Sequence, residues 1–103
     1  MITRIWHGWT THENASAYEA IVTGKVLPGI AARNPAGYHG AYLLRRELED
    51  ETEFVTVLFF DSVDDVRRFA GDDYETAYVP PEARAVLARF DARSAHYETL
   101  LEP

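Results

Sequence analysis

The segment Phe54-Val55-Thr56-Val57-Leu58-Phe59-Phe60 is apolar at every position but one. Side chains alternate between the two faces of a strand, so a strand with one wet face reads apolar-polar-apolar. Here Phe54, Leu58 and Phe60 point one way and Val55, Val57 and Phe59 the other, so both faces call for cover. A chain of 103 residues has enough helix for one face of a sheet, and a second copy of the chain is the economical cover for the other. Upstream, Ile2 to Trp9 is rich in β-branched and aromatic residues and predicts a first strand. Thr10 and Glu13 have the spacing of a helix capping box. Ala17, Tyr18, Ile21 and Val22 form the apolar stripe of the helix that follows, which Pro28-Gly29 should kink or end. After the turn cluster Asn34-Pro35-Ala36-Gly37, Tyr38 to Leu48 reads as a second strand. The acidic stretch Glu49 to Thr52 loops into the buried third strand.

Asp61 or Ser62 caps a short helix with Val63, Val66, Phe69 and Ala70 on one face, and Gly71-Asp72-Asp73 breaks it. Tyr74 to Val79 fits either a helical turn or a loop. Pro80-Pro81 opens another helix, with Ala83, Val86, Leu87 and Phe90 as its buried stripe. Ser94 to Leu101 reads as the last strand. The order β-α-β-β-α-α-β describes one α+β domain, a ferredoxin-like split βαβ sandwich with an extra helix.

Composition narrows the function classes. At 47% hydrophobic and 26% charged the chain is an ordinary globular one. A net charge of −7 with scattered arginines leaves no basic stripe for phosphates, so nucleic acid is not an expected partner. The absence of cysteine removes disulfides, thiolate metal sites and a cysteine nucleophile. No basic n-region with an apolar h-region and no long apolar run occurs, so a cytoplasmic protein without membrane contact is expected. Glycine-rich phosphate loops and nucleophile elbows are missing as well.

Element order, length and several local phrases together resemble the antibiotic biosynthesis monooxygenase (ABM)-like family of dimeric α+β barrels. The phrases are Pro28-Gly29 late in the first helix, Gly37-Tyr38 entering the second strand, Tyr42-Leu43-Leu44-Arg45-Arg46 within it, Phe60-Asp61-Ser62 after the third, and His96-Tyr97-Glu98 in the last. The resemblance implies a homodimer whose two sheets face each other as a barrel, with any small-molecule pocket between helices and sheet. It includes cofactor-independent oxygenases of aromatic polyketides and haem-degrading enzymes. Haem-degrading relatives place tryptophan at the junction after the third strand, an iron-ligating histidine about ten residues later and an asparagine in the first strand. This chain has Phe60 at the junction, Phe69 and Ala70 where the ligand falls, and Ile5-Trp6-His7 in the first strand. Haem degradation by that route is therefore not expected, and no cofactor is.

The candidate chemistry follows the aromatic and histidine positions. In a ferredoxin-like sheet the first strand is central, so His7 and His96 fall on neighbouring strands, and either serves as a base near neutral pH. Tyr74 or Tyr78, in the loop that the resemblance places at the pocket entrance, is the candidate hydroxyl donor. Trp6, Trp9, Tyr42, Phe60 and Phe69 are the candidate substrate-binding residues, with the indoles as stacking walls for a small planar aromatic or polyketide-like molecule. The competing assignment is a non-catalytic dimeric module that binds a small ligand or serves assembly. In it the tryptophans fill the core or the dimer interface, and the histidines bond nearby backbone or carboxylates. The spacing of His7, His39 and His96 matches no zinc motif, and no metal is assigned. His12 belongs to the first turn of the first helix. Arg45 and Arg46 pair with Glu47, Glu53 or a partner's acid, on opposite faces of their strand.

Overall fold

A computed structural model describes residues 1–103. Its centre is the pairing of β1 (Ile2–Thr10) with β3 (Thr52–Phe60), antiparallel, from Ile2 opposite Phe60 to Thr10 opposite Thr52. On the far side of β3 lies β2 (Tyr38–Glu47), joined to it by a short acidic hairpin loop. The other edge of β1 is shared by β4 (Arg89–Phe90), opposite Gly8 and Trp9, and β5 (Ala95–Glu98), opposite Ile2 to Ile5. The result is a five-stranded antiparallel sheet of order β2-β3-β1, with β4 and β5 along the outer edge. With its helices it is an α+β fold compatible with the ferredoxin-like arrangement.

All helices lie on one face. The first helical run comprises α1 (Ala15–Ile21), a π-helical turn (Val22–Val26) and α2 (Leu27–Arg33); α3 (Val63–Ala70) and α4 (Pro81–Val86) follow. Two apolar clusters join them to the sheet. One packs Ala15, Tyr18, Val22 and Ala83 with Phe54 and Val79; the other sets Val66 of α3 on Leu58 and Phe60. Phe54, Phe60 and Val66 are wholly buried. The alternation in β3 thus places its three helix-facing side chains where the pattern predicts. No helix is long and apolar enough to cross a membrane.

The local departures have physical causes. Helix α1 begins at Ala15, because β1 runs on through Thr10 and the intended cap is spent as a strand residue. Its buried stripe is therefore Ala15, Tyr18 and Val22, and Ala17 is exposed. Pro28 does not end the helix. It sits at the start of α2, directly after the π-turn, and the helical run continues past it to Arg33. The preceding π-turn closes with the Leu27 N–H donating to the Val22 carbonyl, five residues back. Ser62 is the cap of α3, its Oγ accepting from the Asp65 N–H at 3.2 Å. Helix α4 stops at Val86. Phe90 belongs to β4 and reaches the core from a strand, its ring 5.8 Å from that of Trp6. Tyr74 to Val79 is a loop tied down by a bridge between Thr76 and Arg93. The last strand ends at Glu98, and Leu100 and Leu101 are exposed.

The opposite face of the sheet carries Ile5, His7, Trp9, Tyr42, Leu44, Val55, Val57 and Phe59, and no helix packs on it. Tyr42, Leu44 and Tyr97 are more than half exposed. His12 lies in the turn before α1, within hydrogen-bonding distance of Glu47 Oε2 and Thr52 Oγ1. Glu47 also accepts from Thr52 and Arg45, and these bonds, the Thr52 hydroxyl first, hold its carboxyl down at about 2.

Candidate functional site

The parity of β1 decides which side chains meet. Ile2, Arg4, Trp6 and Gly8 face the helices, while Ile5, His7 and Trp9 face the open side. Between the first helical run, the sheet and the loop before α4 lies a cavity of about 660 Å³. That is within the range of about 300–1,000 Å³ typical of small-molecule sites. Its walls are mostly apolar, and the π-turn contributes Val22 and Val26. Trp6, Phe69 and Tyr78 of the sequence-derived candidates line it, Tyr78 as a 79% exposed side chain at the mouth. Thr56 and Ser94 add hydroxyls, and Lys25 and Glu82 form an ion pair of 3.0 Å across α4 and the π-turn.

Arg4, which the sequence reading did not single out, is the half-buried cation of this cavity. Its Nη1 donates to the Tyr74 carbonyl at 2.7 Å and to His96 Nε2 at 2.8 Å. Burial lowers the Arg4 pKa from its ordinary value. Arginine has no acceptor, so His96 Nε2 is the accepting nitrogen and the ring proton resides on Nδ1. Nδ1 is buried and has no partner. Burial first, and then the Arg4 charge, hold the His96 pKa below its usual value, against an opposing pull from Glu75. Tyr74 completes the group with its ring edge-on to His96, centroids 5.1 Å apart. His96 and Tyr74 thus back the cavity through Arg4 without lining it. A parity signal existed for Arg4: a charged residue in phase with Ile2 and Trp6 is directed at the core and needs a partner there.

His7 is placed elsewhere. On the open face its Nδ1 lies 3.1 Å from Asp91 Oδ2 and its ring stacks on Trp9, over which Arg89 sits at 3.9 Å. Asp91 is bound twice more through its backbone, its N–H donating to the His7 carbonyl and its carbonyl accepting from Trp6 Nε1. His7 and His96 are thus on neighbouring strands but on opposite faces. Tyr42 packs on Phe59 on the open side, and Phe60 is sealed between Tyr38 and Phe69 in the core. His39 pairs with Asp61 at the sheet edge. No three histidine or carboxylate side chains converge as metal ligands. Arg45 pairs with Glu19 and Glu47 on the helix side, and Arg46 with Glu53 on the open side, as alternation requires.

Tyr18 forms part of the cavity wall and meets Phe54 edge-on at 4.8 Å. Burial pushes its phenol up to about 12, with a hydrogen bond to Thr56 pulling the other way. A phenol ionises near pH 10 in the unfolded chain. Below that pH Tyr18 is neutral in both states; between about 10 and 12 the unfolded state alone loses its proton, so stability falls as pH rises. Between about pH 9 and pH 12 the wild type should lose roughly 2–3 kcal/mol more than Tyr18→Phe. Urea denaturation of both proteins at the two pH values checks this, and equal losses would remove the buried phenol from the account.

No protein-family model matches the chain, and no curated protein does.

Proposed function

We propose that the chain is an ABM-like dimeric α+β barrel protein that takes a small planar, largely apolar molecule into the helix–sheet cavity of each protomer. The observation that carries this reading is the cavity itself, apolar in its walls with polar groups at a few points. Binding is what the geometry supports best, since neither His7 nor His96 lines the cavity. Cofactor-independent, monooxygenase-like turnover of the bound molecule is the second reading, favoured by the Trp6 ring and Tyr78 hydroxyl at the same cavity. Such a reaction needs a substrate acidic enough to ionise there. An activated CH2 and O2 would give C=O and water, the substrate supplying all four electrons.

A second copy on the open sheet face completes the barrel. Ile5, Val55 and Phe59, with exposed Tyr42, Leu44 and Tyr97, form the surface to be covered, and the twofold relation makes it self-complementary. Light scattering on the chromatographed protein at micromolar concentration should give twice the mass of one chain; one chain's mass removes the barrel.

The pocket is tested through Gly29, which lines the cavity and where an added Cβ meets open space. Gly29→Trp should fold, since helices favour tryptophan over glycine, and should occupy the room a ligand needs. A panel of hydroxynaphthoquinones and polycyclic phenols should raise the melting temperature of the wild type and not of Gly29→Trp. A panel that moves neither protein, or both equally, removes the cavity as the ligand site.

A further inference from the structure

The cavity's charges do not balance. Arg4, Lys25 and Arg33 line it against one carboxylate, Glu82, already paired with Lys25. Two guanidiniums are left without a carboxylate in a chain of net charge −7. Six arginines elsewhere each hold an acid: Arg45, Arg46, Arg67, Arg68, Arg89 and Arg93. Arg84, the remaining one, lies over the Phe90 ring. With 17 acidic residues available, the unpaired cations sit where a carboxylate of the protein would have been easy to supply.

Arg4 also keeps three of its five N–H donors free. Both bonds to the protein leave from Nη1, while Nε and Nη2 have no protein acceptor and are not sealed from solvent. The Nε/Nη2 edge is one of the two sides of a guanidinium that present parallel N–H bonds, the pattern that matches the two oxygens of a carboxylate. His96 and the Tyr74 carbonyl fix the opposite corner, so the edge is oriented before a ligand arrives. Arg33, over the Phe69 ring at 4.9 Å, adds a second positive charge at the cavity. A dianionic phosphate would surrender too much hydration to mostly apolar walls, whereas a monoanion on a planar ring leaves only its two oxygens to satisfy.

We propose that the cavity is selective for a planar carboxylate, anchored by the free Nε/Nη2 edge of Arg4. This rests on the reading of the cavity as the ligand site and adds the class of ligand. The test is calorimetric titration of the full chain at neutral pH with 2-naphthoate and with its neutral isostere 2-naphthamide. The wild type should bind the carboxylate about 10- to 100-fold more tightly, the span of a charge-assisted hydrogen-bonded pair. Arg4→Gln should erase that preference while leaving the affinity for the amide. Arg4→Lys, which keeps the charge and loses the fork, should fall between them and serves if the glutamine variant fails to fold. Equal affinity of the wild type for the two probes, or an undiminished preference in both variants, overturns the carboxylate anchor and leaves the cavity as a ligand site. Binding of neither probe overturns both.

Discussion

Phe54→Ala is expected to destabilise the protein by about 3–5 kcal/mol, the range for deleting a fully buried aromatic side chain. Phe54 is wholly inaccessible and belongs to the cluster that joins α1 and α4 to the sheet through Ala15, Tyr18, Val22, Val79 and Ala83. Its loss leaves the Tyr18 ring without its edge-on partner and three elements around a void that their own packing prevents from collapsing. A domain of this size has about 5–15 kcal/mol in total, so the variant stands close to unfolding at ambient temperature. Urea denaturation should show a lowered midpoint with an unchanged slope, the sign of lost stability without a new denatured state. A shift worth less than about 1 kcal/mol would mean that the cluster refills the space, against close packing.

Gly37→Ala should be nearly as severe, at about 2–4 kcal/mol, although it adds only a methyl group. Gly37 has φ +74°, a conformation that strains any residue with a Cβ. An added Cβ would also overlap Asp65 Oδ2 and stand 2.5 Å from its Cγ. That carboxylate cannot swing away at no expense: it is buried, accepts from Ser62 Oγ at 3.0 Å and pairs with Arg68 at 2.7 Å. The Gly37 carbonyl accepts from the Asp61 N–H, so movement there disturbs the junction where β3 hands over to α3. Gly24→Ala is the matched control, since its added Cβ meets open space. It should be neutral or stabilising, because alanine is the better helix former. Equal midpoints for the two variants in thermal denaturation would contradict the clash.

The legibility of the fold follows the range of the interactions. Alternation in Phe54 to Phe60 and the β-branched run from Ile2 are properties of the backbone's two-residue period, and both strands lie where those patterns put them. Arg45 and Arg46 separate to opposite faces for the same reason. Helix ends were less legible, because caps and prolines allow more than one outcome. Pro28 is compatible with a helix end or a first turn, and the π-turn before it selects the second. Phe90 fits the periodicity of α4, yet backbone pairing with Gly8 claims it for a strand.

The candidate site divides along the same line. That His7 and His96 fall on adjacent strands follows from the order of elements alone, whereas their opposite faces depend on a register in which Arg4 stands opposite His96. That register also puts Arg4 against Tyr74, 70 residues away, at the wall of the cavity. What the chain's own pattern determined is a strand apolar on both faces, an α+β order of elements, and a sequence without a basic stripe, a cysteine or a glycine-rich phosphate loop. Only the tertiary structure decided which polar groups meet. Periodicity assigns a residue to a face, but which face closes over a cavity is settled by helices and loops packing from distant parts of the chain. Burial then makes an ordinary strand arginine the residue around which the site is organised.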